Sequence, residues 1–147
     1  MTKITKFRGK NFFLSNFYNA PIKYQGLFYQ NDEAAFQSAK VIGTKQENLR
    51  KTFTSLNAND AKRKGRHVLL RSDWEKVKDQ VMYDIVFDKF TRNKDLKAKL
   101  LATGNAELIE GNTWHDTYWG YDFSKKRGQN KLGKILMQVR QKILESE

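Results

Sequence analysis

The sequence predicts a helix-dominated α+β fold, and three features of the chain support this class. Apolar residues recur at three- and four-residue spacing in several segments, as expected for helices with one buried face. Residues 21–30, PIKYQGLFYQ, instead alternate around Gln25-Gly26, which is typical of a β-hairpin near the N-terminus. The 147 residues contain no low-complexity linker and no internal repeat. We therefore expect a single domain over residues 1–147, mostly helical, with small β-hairpin and strand elements.

Turn and capping residues place the helices of the first half of the chain. A helix is expected over 32–42, because Asn31 or Asp32 can cap its start and Gly43 can end it. Two capping-box patterns, at residues 44–47 and 72–75, predict the starts of two further helices. A short basic helix is expected between them, ending at Gly65.

The clearest predicted helix is the one that starts at residues 72–75, and the chain ends in a further helix with a buried face. A helix closed by Gly104 precedes AELIE, which predicts a short strand, and a last helix spans about 130–144. Its predicted core positions are Leu132, Ile135, Leu136, Val139 and Ile143. Between strand and helix lies a polar, aromatic segment of about 20 residues, from Gly111 to Asn130. Loops of that length inside compact domains usually carry function.

Composition limits the chemistry that the chain can perform. There is no cysteine, which excludes disulfides and thiolate nucleophiles and favours a cytoplasmic setting. With only His67 and His115, a histidine-rich metal site is not expected, and we predict neither a metal nor a cofactor. No apolar run approaches membrane-spanning length, and the opening residues lack the apolar core of a signal peptide. Carboxylates must therefore do most of any acid and base work.

The charge balance indicates an anionic partner. Twenty-eight Lys and Arg against sixteen Asp and Glu give a formal net charge of +12. Nucleic acid, a phosphorylated metabolite or a pyrophosphate would suit such an excess. The only dense basic clusters are Lys62–Arg66 and Lys125–Arg127. A solvated surface that aids solubility explains the same clusters equally well.

The segment from Asn31 to Lys40, NDEAAFQSAK, carries a polar stripe on an otherwise apolar helix. Glu33, Gln37 and Lys40 share one face, because residues three and four positions apart are neighbours on a helix. One explanation is a capped surface helix with an acid that the helix dipole favours. The other is one wall of a binding pocket.

Tryptophans accompany the late acidic residue. Asp116 lies between Trp114 and Trp119 in WHDTYWG, and each indole nitrogen needs a partner when it is buried. Such rings can stack on a base or a ribose, or they can anchor the loop to the core. Trp74, at the start of a predicted helix, has the same two explanations.

Several segments occur in an order and spacing that resembles the NADAR, or YbiA-like, family. They are FLSNFY, PIKYQG, NDEAAFQSAK, SDWEKVKDQVMYDIVFDKF, LLATGNAELIE, HDTYWG and GQNKLGKILMQVR. The resemblance runs from about Phe7 to Leu144. No single motif is decisive, but the ordered set is specific.

The resemblance implies N-glycosidase activity, the hydrolysis of a bond between a ribose anomeric carbon and nitrogen. It also implies that the catalytic positions are Glu33, Trp74 and Asp116. Family members commonly have His where this chain has Ala34, so that imidazole cannot be essential here. Tyr121 replaces the usual glycine after Trp-Gly, which changes the local loop.

Hydrolysis of an N-glycoside passes through an oxocarbenium-like ribose, whose charge a carboxylate can stabilise. We expect Glu33 to act as base or electrostatic stabiliser and Asp116 as acid or orienting partner, or the reverse. Trp74 would form one wall and exclude water. This interpretation requires the two acids to share a cavity. Candidates for binding the phosphate and ribose are Arg8, Asn16, Gln37, Lys40, Trp119 and Asn130. For Arg8, simple solvation explains the charge equally well.

Three functions remain open from the sequence. The substrate is either a phosphorylated ribosylamino-pyrimidine intermediate of riboflavin biosynthesis or an ADP-ribosylated guanine in DNA or RNA, as the resemblance implies. The charge of +12 favours nucleic acid through counterion release, but a monophosphate also favours positive surroundings. The third alternative is a non-catalytic module that binds ADP-ribose or nucleic acid. The acids at Glu33 and Asp116 argue against it, because a binder of anions gains nothing from them.

Overall fold

The computed structural model describes residues 2–147 and contains short strands and a majority of helix in its regular structure. The strands are β1 (Lys3–Ile4), β2 (Asn19–Tyr24), β3 (Leu27–Asn31), β4 (Glu107–Leu108), β5 (Gly111–Asn112) and β6 (Tyr121–Asp122). The α-helices are α1 (Asp32–Ala39), α2 (Arg50–Phe53), α3 (Ala58–Gly65), α4 (Trp74–Arg92), α5 (Lys94–Ala102) and α6 (Lys131–Glu145). Two 3₁₀ helices span Gly9–Leu14 and Glu47–Leu49. The predicted helix-dominated α+β class is confirmed.

The chain divides into two compact units. Unit 1 comprises Met1–Ser15 and Lys94–Glu147, and unit 2 comprises Asn16–Asn93. The single domain over 1–147 stays a prediction. No helix within residues 2–147 combines the length and the apolar character needed to cross a membrane.

Unit 2 is built on the predicted hairpin and on the helices that follow it. Strands β2 and β3 pair antiparallel, and Tyr24 lies opposite Leu27 across the turn. Gln25 and Gly26 both have positive φ, 47° and 85°, as a two-residue type I′ hairpin turn requires. Helix α1 follows β3 directly and packs against α2, α3, α4 and the hairpin. The hairpin thus presents the first turn of α1 at a fixed place in the core of this unit.

Unit 1 combines short parallel pairings with two helices. Strand β1 pairs parallel to β4, and β5 pairs parallel to β6. Helix α6 packs against α5 and β4. All five core positions predicted for α6 are buried: Leu132, Ile135, Leu136, Val139 and Ile143.

Several helix boundaries differ from the predicted ones. Helix α1 ends at Ala39, and turns continue to Gly43 rather than a helix to residue 42. Ser72 does not cap α4: the helix begins at Trp74, and Asp73 precedes it without a capping side-chain bond because its carboxylate pairs with Arg71. The box predicted at residues 44–47 does not form, because the Glu47 carboxylate accepts from the backbone nitrogen of Gly43 and the Thr44 hydroxyl accepts from that of Gln46. The helical segment that it predicted toward Phe53 is present and begins at Glu47.

The segment from Gly111 to Asn130 is more ordered than its sequence indicates. Besides the β5–β6 pairing, Asp122 and Arg127 form an antiparallel bridge through both backbone hydrogen bonds. Strand β6 begins nine residues after the end of β5, so the pairing of the two strands cannot be predicted from the spacing of apolar residues within either one. The segment is therefore a folded element rather than an irregular loop.

Candidate functional site

The first turn of α1 holds the carboxylate of Glu33 inside unit 2. Asn31 caps the helix, because its Oδ1 accepts from the backbone nitrogen of Ala34 at 2.8 Å. The backbone nitrogen of Glu33 is not left unpaired, since it donates to the carbonyl of Asn16 at 3.1 Å. Only 8% of Glu33 is exposed, so its carboxylate lies mostly out of water. The predicted cap at Asn31 is confirmed, but α1 is a buried helix and not a surface one.

Gln37 lies one turn further along α1 and binds the acid directly. Its Nε2 donates to Oε2 of Glu33 at 2.6 Å. The other amide atom, Oε1, is buried and accepts no hydrogen bond within residues 2–147. A buried acceptor without a donor is costly, and it is satisfied when a ligand or a water supplies an N–H or O–H. The arrangement therefore fixes the acid and leaves an acceptor ready beside it.

Gly65, at the end of α3, makes space for this amide. A β-carbon on Gly65 would overlap Oε1 of Gln37 and lie 2.5 Å from its Cδ. Any larger residue would require the amide to move. The close approach of α3 to α1 at this point thus depends on a missing side chain.

Lys40 completes the polar stripe. Its Nζ donates to the carbonyl of Gly65 at 3.3 Å. Burial lowers the pKa of the Lys40 ammonium, the negative charge of Glu33 raises it, and the positive charge of Arg66 lowers it further. The face of α1 that carries Glu33, Gln37 and Lys40 therefore combines an acid, an amide and a cation next to the end of α3.

Trp74 and Asn16 are the other predicted site residues of unit 2. Trp74 is the first residue of α4, is buried, and packs its ring against Phe36 of α1 at a centroid distance of 5.0 Å. Asn16 donates weakly from Nδ2 to the sulfur of Met82 at 3.6 Å. Its Oδ1 is buried and accepts no hydrogen bond within the described chain. Unit 2 thus contains three such acceptors, on Asn16, Asp32 and Gln37.

A second acid precedes the first on α1 and is entirely buried. Asp32 and Lys89 of α4 form an ion pair at 3.8 Å, and each side chain is 1% exposed. The Lys89 ammonium also lies 5.0 Å from the ring centre of Phe90 and 5.5 Å from that of Tyr18. Burial raises the pKa of Asp32 to about 7 against the attraction of Lys89, and the charge of Glu33 raises it further.

Asp116, the other predicted acid, lies in unit 1 and holds a tight turn. Its Oδ1 accepts from the backbone nitrogens of Tyr118 at 3.0 Å and Trp119 at 2.9 Å. Asn112 fixes the backbone of Asp116 through two bonds, Oδ1 to its nitrogen and Nδ2 to its carbonyl. The carboxylate is therefore well oriented within its own unit.

The remaining predicted residues of unit 1 have differing surroundings. Both amide atoms of Asn130 are used inside the unit, by the nitrogen of Glu110 at 2.9 Å and the carbonyl of Leu108 at 3.0 Å. Trp119 is half-buried and packs edge-to-face on Tyr118. Arg8 is exposed, with its guanidinium 5.9 Å from the ring centre of Trp114. Asn130 thus holds the folded segment together, and its predicted role in binding substrate stays a prediction.

An Asp–His pair lies next to Asp116 in the chain. His115 has a φ of 68°, and its Nδ1 lies 2.7 Å from Oδ2 of the buried Asp122. This bond, together with one from the Ser124 hydroxyl, holds the pKa of Asp122 below its usual range. The pair stabilises the turn that presents Asp116.

The structure places the predicted residues in two groups, one in each unit. Unit 2 contains Asn16, Glu33, Gln37, Lys40 and Trp74, and unit 1 contains Arg8, Asp116, Trp119 and Asn130. Sequence reasoning missed Gly65, Arg66 and Lys89. The dense cluster Lys62–Arg66 was the one available signal for Arg66, whereas nothing local marks Gly65 as the neighbour of Gln37.

Comparison with known proteins gives a consistent assignment. The family model of the NADAR domain matches residues 5–144. N-glycosidase YbiA of Escherichia coli is 38% identical over 130 residues, which cover 88% of this chain and 79% of that protein. N-glycosidase Npun_R5314 of Nostoc punctiforme is 35% identical over 132 residues, covering 88% and 83%.

A longer protein and a solved structure extend the comparison. Riboflavin biosynthesis protein VVA0006 of Vibrio vulnificus is 36% identical over 135 residues, which cover 90% of this chain but only 36% of that protein. The NMR structure of E. coli YbiA superposes with a TM-score of 0.86 at 34% identity, covering 99% of this chain and 86% of that one. The likeness therefore extends to the fold as well as the sequence.

Proposed function

This chain belongs to the NADAR family and is a hydrolase acting on N-glycosyl bonds, and we propose that its substrate is a phosphorylated ribosylamino-pyrimidine. The observation that carries the proposal is the buried carboxylate of Glu33, held at 2.6 Å by Gln37 with the Lys40 cation on the same helix face. The name of the Vibrio relative, a riboflavin biosynthesis protein, supports this substrate class.

The proposed reaction adds water across the bond between the ribose anomeric carbon and nitrogen. As that bond breaks, positive charge develops on the ribose, and a nearby carboxylate stabilises it more strongly out of water than in it. Glu33 supplies this charge or accepts the proton of the attacking water. The departing nitrogen keeps the bonding electrons and takes up a proton, and the ribose keeps the hydroxyl.

The neighbours of Glu33 have defined parts in this proposal. Gln37 fixes the carboxylate, and its Oε1 accepts from a ribose hydroxyl or from the water. The Oδ1 of Asn16 offers a second acceptor for a sugar hydroxyl. Trp74, packed on Phe36, supplies an apolar wall that limits access of bulk water. Lys40 attracts the phosphate.

Asp116 is the second acid of the proposal, by resemblance to the family. It protonates the departing nitrogen or orients the water, and exchanging the roles of Asp116 and Glu33 leaves the overall balance of atoms unchanged. Trp119, Arg8 and Asn130 contribute to substrate binding in the same proposal, with Asn130 acting through the fold of its segment. A cytoplasmic location also stays a prediction.

A second candidate substrate is ADP-ribosylated guanine in nucleic acid, which the net charge of +12 favours. Incubation of the purified protein with each substrate class, followed by detection of the released base, ribose phosphate or ADP-ribose, tests both. Turnover of the pyrimidine alone supports the first proposal, and turnover of the modified nucleic acid alone replaces it with the second. Tight binding of ADP-ribose without any product would instead indicate a binding module.

A further inference from the structure

The cations of α3 and its cap differ in what they contact. Lys62 lies 5.8 Å from the ring centre of Phe17, Arg63 pairs with Asp60, and Lys64 donates to the hydroxyl of Thr52. Arg66, which caps the C-terminal end of α3, is exposed, and its guanidinium makes no hydrogen bond or ion pair within residues 2–147. Lys62 and Arg66 are therefore the two cations of this run whose donors make no hydrogen bond or ion pair within the described residues, and of these Lys62 lies against a ring.

The position of Arg66 is fixed by its neighbour. Gly65 contacts two of the three polar side chains of the α1 stripe: its carbonyl accepts from Lys40 at 3.3 Å, and its α-carbon approaches the Gln37 amide. Arg66 follows Gly65 directly in the chain. The backbone of Arg66 is therefore next to a residue that contacts the stripe. The electrostatic effect of Arg66 on Lys40 agrees with this closeness.

The Lys40 ammonium is subject to the positive charge of Arg66 as well as to the negative charge of Glu33, and an anion between two nearby cations lowers the energy of both. Neither Lys40 nor Arg66 forms a salt bridge with an acid in the described chain, since the one hydrogen bond of the Lys40 ammonium goes to a carbonyl. The buried, unpartnered Oε1 of Gln37 is an independent sign that the stripe is completed by a ligand. An anionic group with hydroxyls beside it satisfies both needs.

We propose that Arg66 and Lys40 together bind the terminal phosphate of the substrate, and that Arg66 makes the enzyme prefer phosphorylated substrates. The inference rests on the proposed function and names a residue of the same site. Arg66 supplies a planar pair of donors that matches two phosphate oxygens, while Lys40 supplies a point charge. The sugar then lies toward Gln37 and Glu33, along the stripe.

The test compares a phosphorylated ribosylamino-pyrimidine with the same compound after phosphatase treatment. In Arg66→Ala, kcat/KM for the phosphorylated compound should fall about 10–100-fold, while that for the dephosphorylated compound stays unchanged. Arg66→Lys should recover part of the lost kcat/KM, because lysine restores the positive charge but not the planar pair of donors. Arg63→Ala removes a neighbouring exposed charge and should leave both values unchanged. Equal effects on both compounds, or none, would overturn the inference.

A binding measurement separates this inference from the proposed reaction. Ribose 5-phosphate is titrated into each variant by calorimetry, with ribose as the neutral comparison. Wild type and Arg63→Ala should bind ribose 5-phosphate alike, and Arg66→Ala about 10–100-fold more weakly. This result supports the phosphate site even if wild type hydrolyses neither pyrimidine, which would defeat only the proposed substrate.

A backbone phosphodiester could use the same cations, so a single-stranded oligonucleotide is titrated as a third ligand. Weaker binding of the oligonucleotide in Arg66→Ala, with ribose 5-phosphate binding unchanged or undetectable in wild type, would overturn the inference in favour of a nucleic-acid contact.

Discussion

The α-carbon of Gly65 lies so close to the side chain of Gln37 that a β-carbon there would sit 2.5 Å from Cδ of the amide. The two residues are far apart in the chain and belong to α3 and α1. Gln37 donates a hydrogen bond to Glu33. A methyl group at residue 65 would therefore displace Gln37 and, through it, disturb the carboxylate of Glu33. This relationship makes Gly65 a positioning residue for the candidate site.

Gly65→Ala should therefore lower activity far more than stability. The amide end of Gln37 can swing away, but its Cβ would lie 3.0 Å from the new methyl group, so we expect a loss of about 1 kcal/mol in the free energy of unfolding. The bond from the amide to Glu33 is lost in this movement, and a displaced acid lowers kcat by about 10²-fold. Steady-state kinetics and urea unfolding of the same preparation measure the two effects.

A double-mutant cycle checks that the effect passes through Gln37. In a Gln37→Ala background no amide remains to be displaced, so adding Gly65→Ala should cost little further activity. If the two losses simply multiply, Gly65 acts by another route and the positioning role is wrong.

Glu33→Gln should abolish most turnover while the fold is kept. The replacement is isosteric and can keep a hydrogen bond with Gln37, but it can neither accept a proton nor stabilise a cationic ribose. We expect kcat to fall about 10²–10⁴-fold, measured with whichever substrate the wild type hydrolyses. Glu75→Gln, on the exposed side of α4, is the matched control and should retain full activity. Near-normal turnover in Glu33→Gln would refute its catalytic assignment.

Asp116 can be separated into a structural and a chemical contribution. Its Oδ1 accepts two backbone hydrogen bonds, and the amide oxygen of Asn can accept the same two. Asp116→Asn should therefore keep the melting temperature, whereas Asp116→Ala should lower it. If the charge takes part in the reaction, both variants lose turnover about 10²-fold or more. Full activity in Asp116→Asn would show that Asp116 only stabilises the turn and takes no part in the reaction.

The buried pair of Asp32 and Lys89 predicts a pH-dependent stability defect. Lys89→Met leaves an uncompensated buried carboxyl and should destabilise the protein by about 3–5 kcal/mol at pH 8. Burial raises the pKa of folded Asp32 to about 7, well above the ordinary value of a carboxyl group, so its contribution to the free energy of unfolding falls as pH rises from that ordinary value to about 7. At pH 5 the carboxyl is protonated, and the defect should be smaller.

Urea unfolding at both pH values measures this difference. Lys76→Met, an exposed lysine on the same helix, should change the free energy of unfolding by less than about 0.5 kcal/mol at either pH. A Lys89→Met defect that is equal at pH 5 and pH 8 would contradict the raised pKa.

Local signals predicted the elements whose determinants are close in sequence. The turn at Gln25-Gly26, the cap at Asn31 and the apolar face of α6 each depend on residues within a few positions, and each is confirmed. The predicted cap at Ser72 is wrong: α4 begins at Trp74, and the carboxylate of Asp73 before it pairs with Arg71 instead of capping the helix. Such competition between neighbouring side chains leaves no trace in a spacing pattern.

The relationships that matter for the candidate site are mostly non-local. The stripe of Glu33, Gln37 and Lys40 was visible because all three lie on one helix. Its partners were not: Gly65 resembles an ordinary helix end, and Lys89 resembles a surface lysine on an amphipathic helix. Gly65 and Lys89 contact α1 only because α3 and α4 pack against it, and this packing is not visible in the sequence pattern.

The amides of Asn112 and Asn130 hold the segment Gly111–Asn130 from within, while residues 113–115 and 123–127 face solvent. Within this one segment, some residues therefore hold the backbone in place while others are exposed to solvent. Apart from His115 and Ser124, whose side chains bind Asp122, the displayed residues can be substituted without loss of the hydrogen bonds that anchor the segment. In a segment built this way, the displayed residues can change in sequence while the anchored backbone is retained.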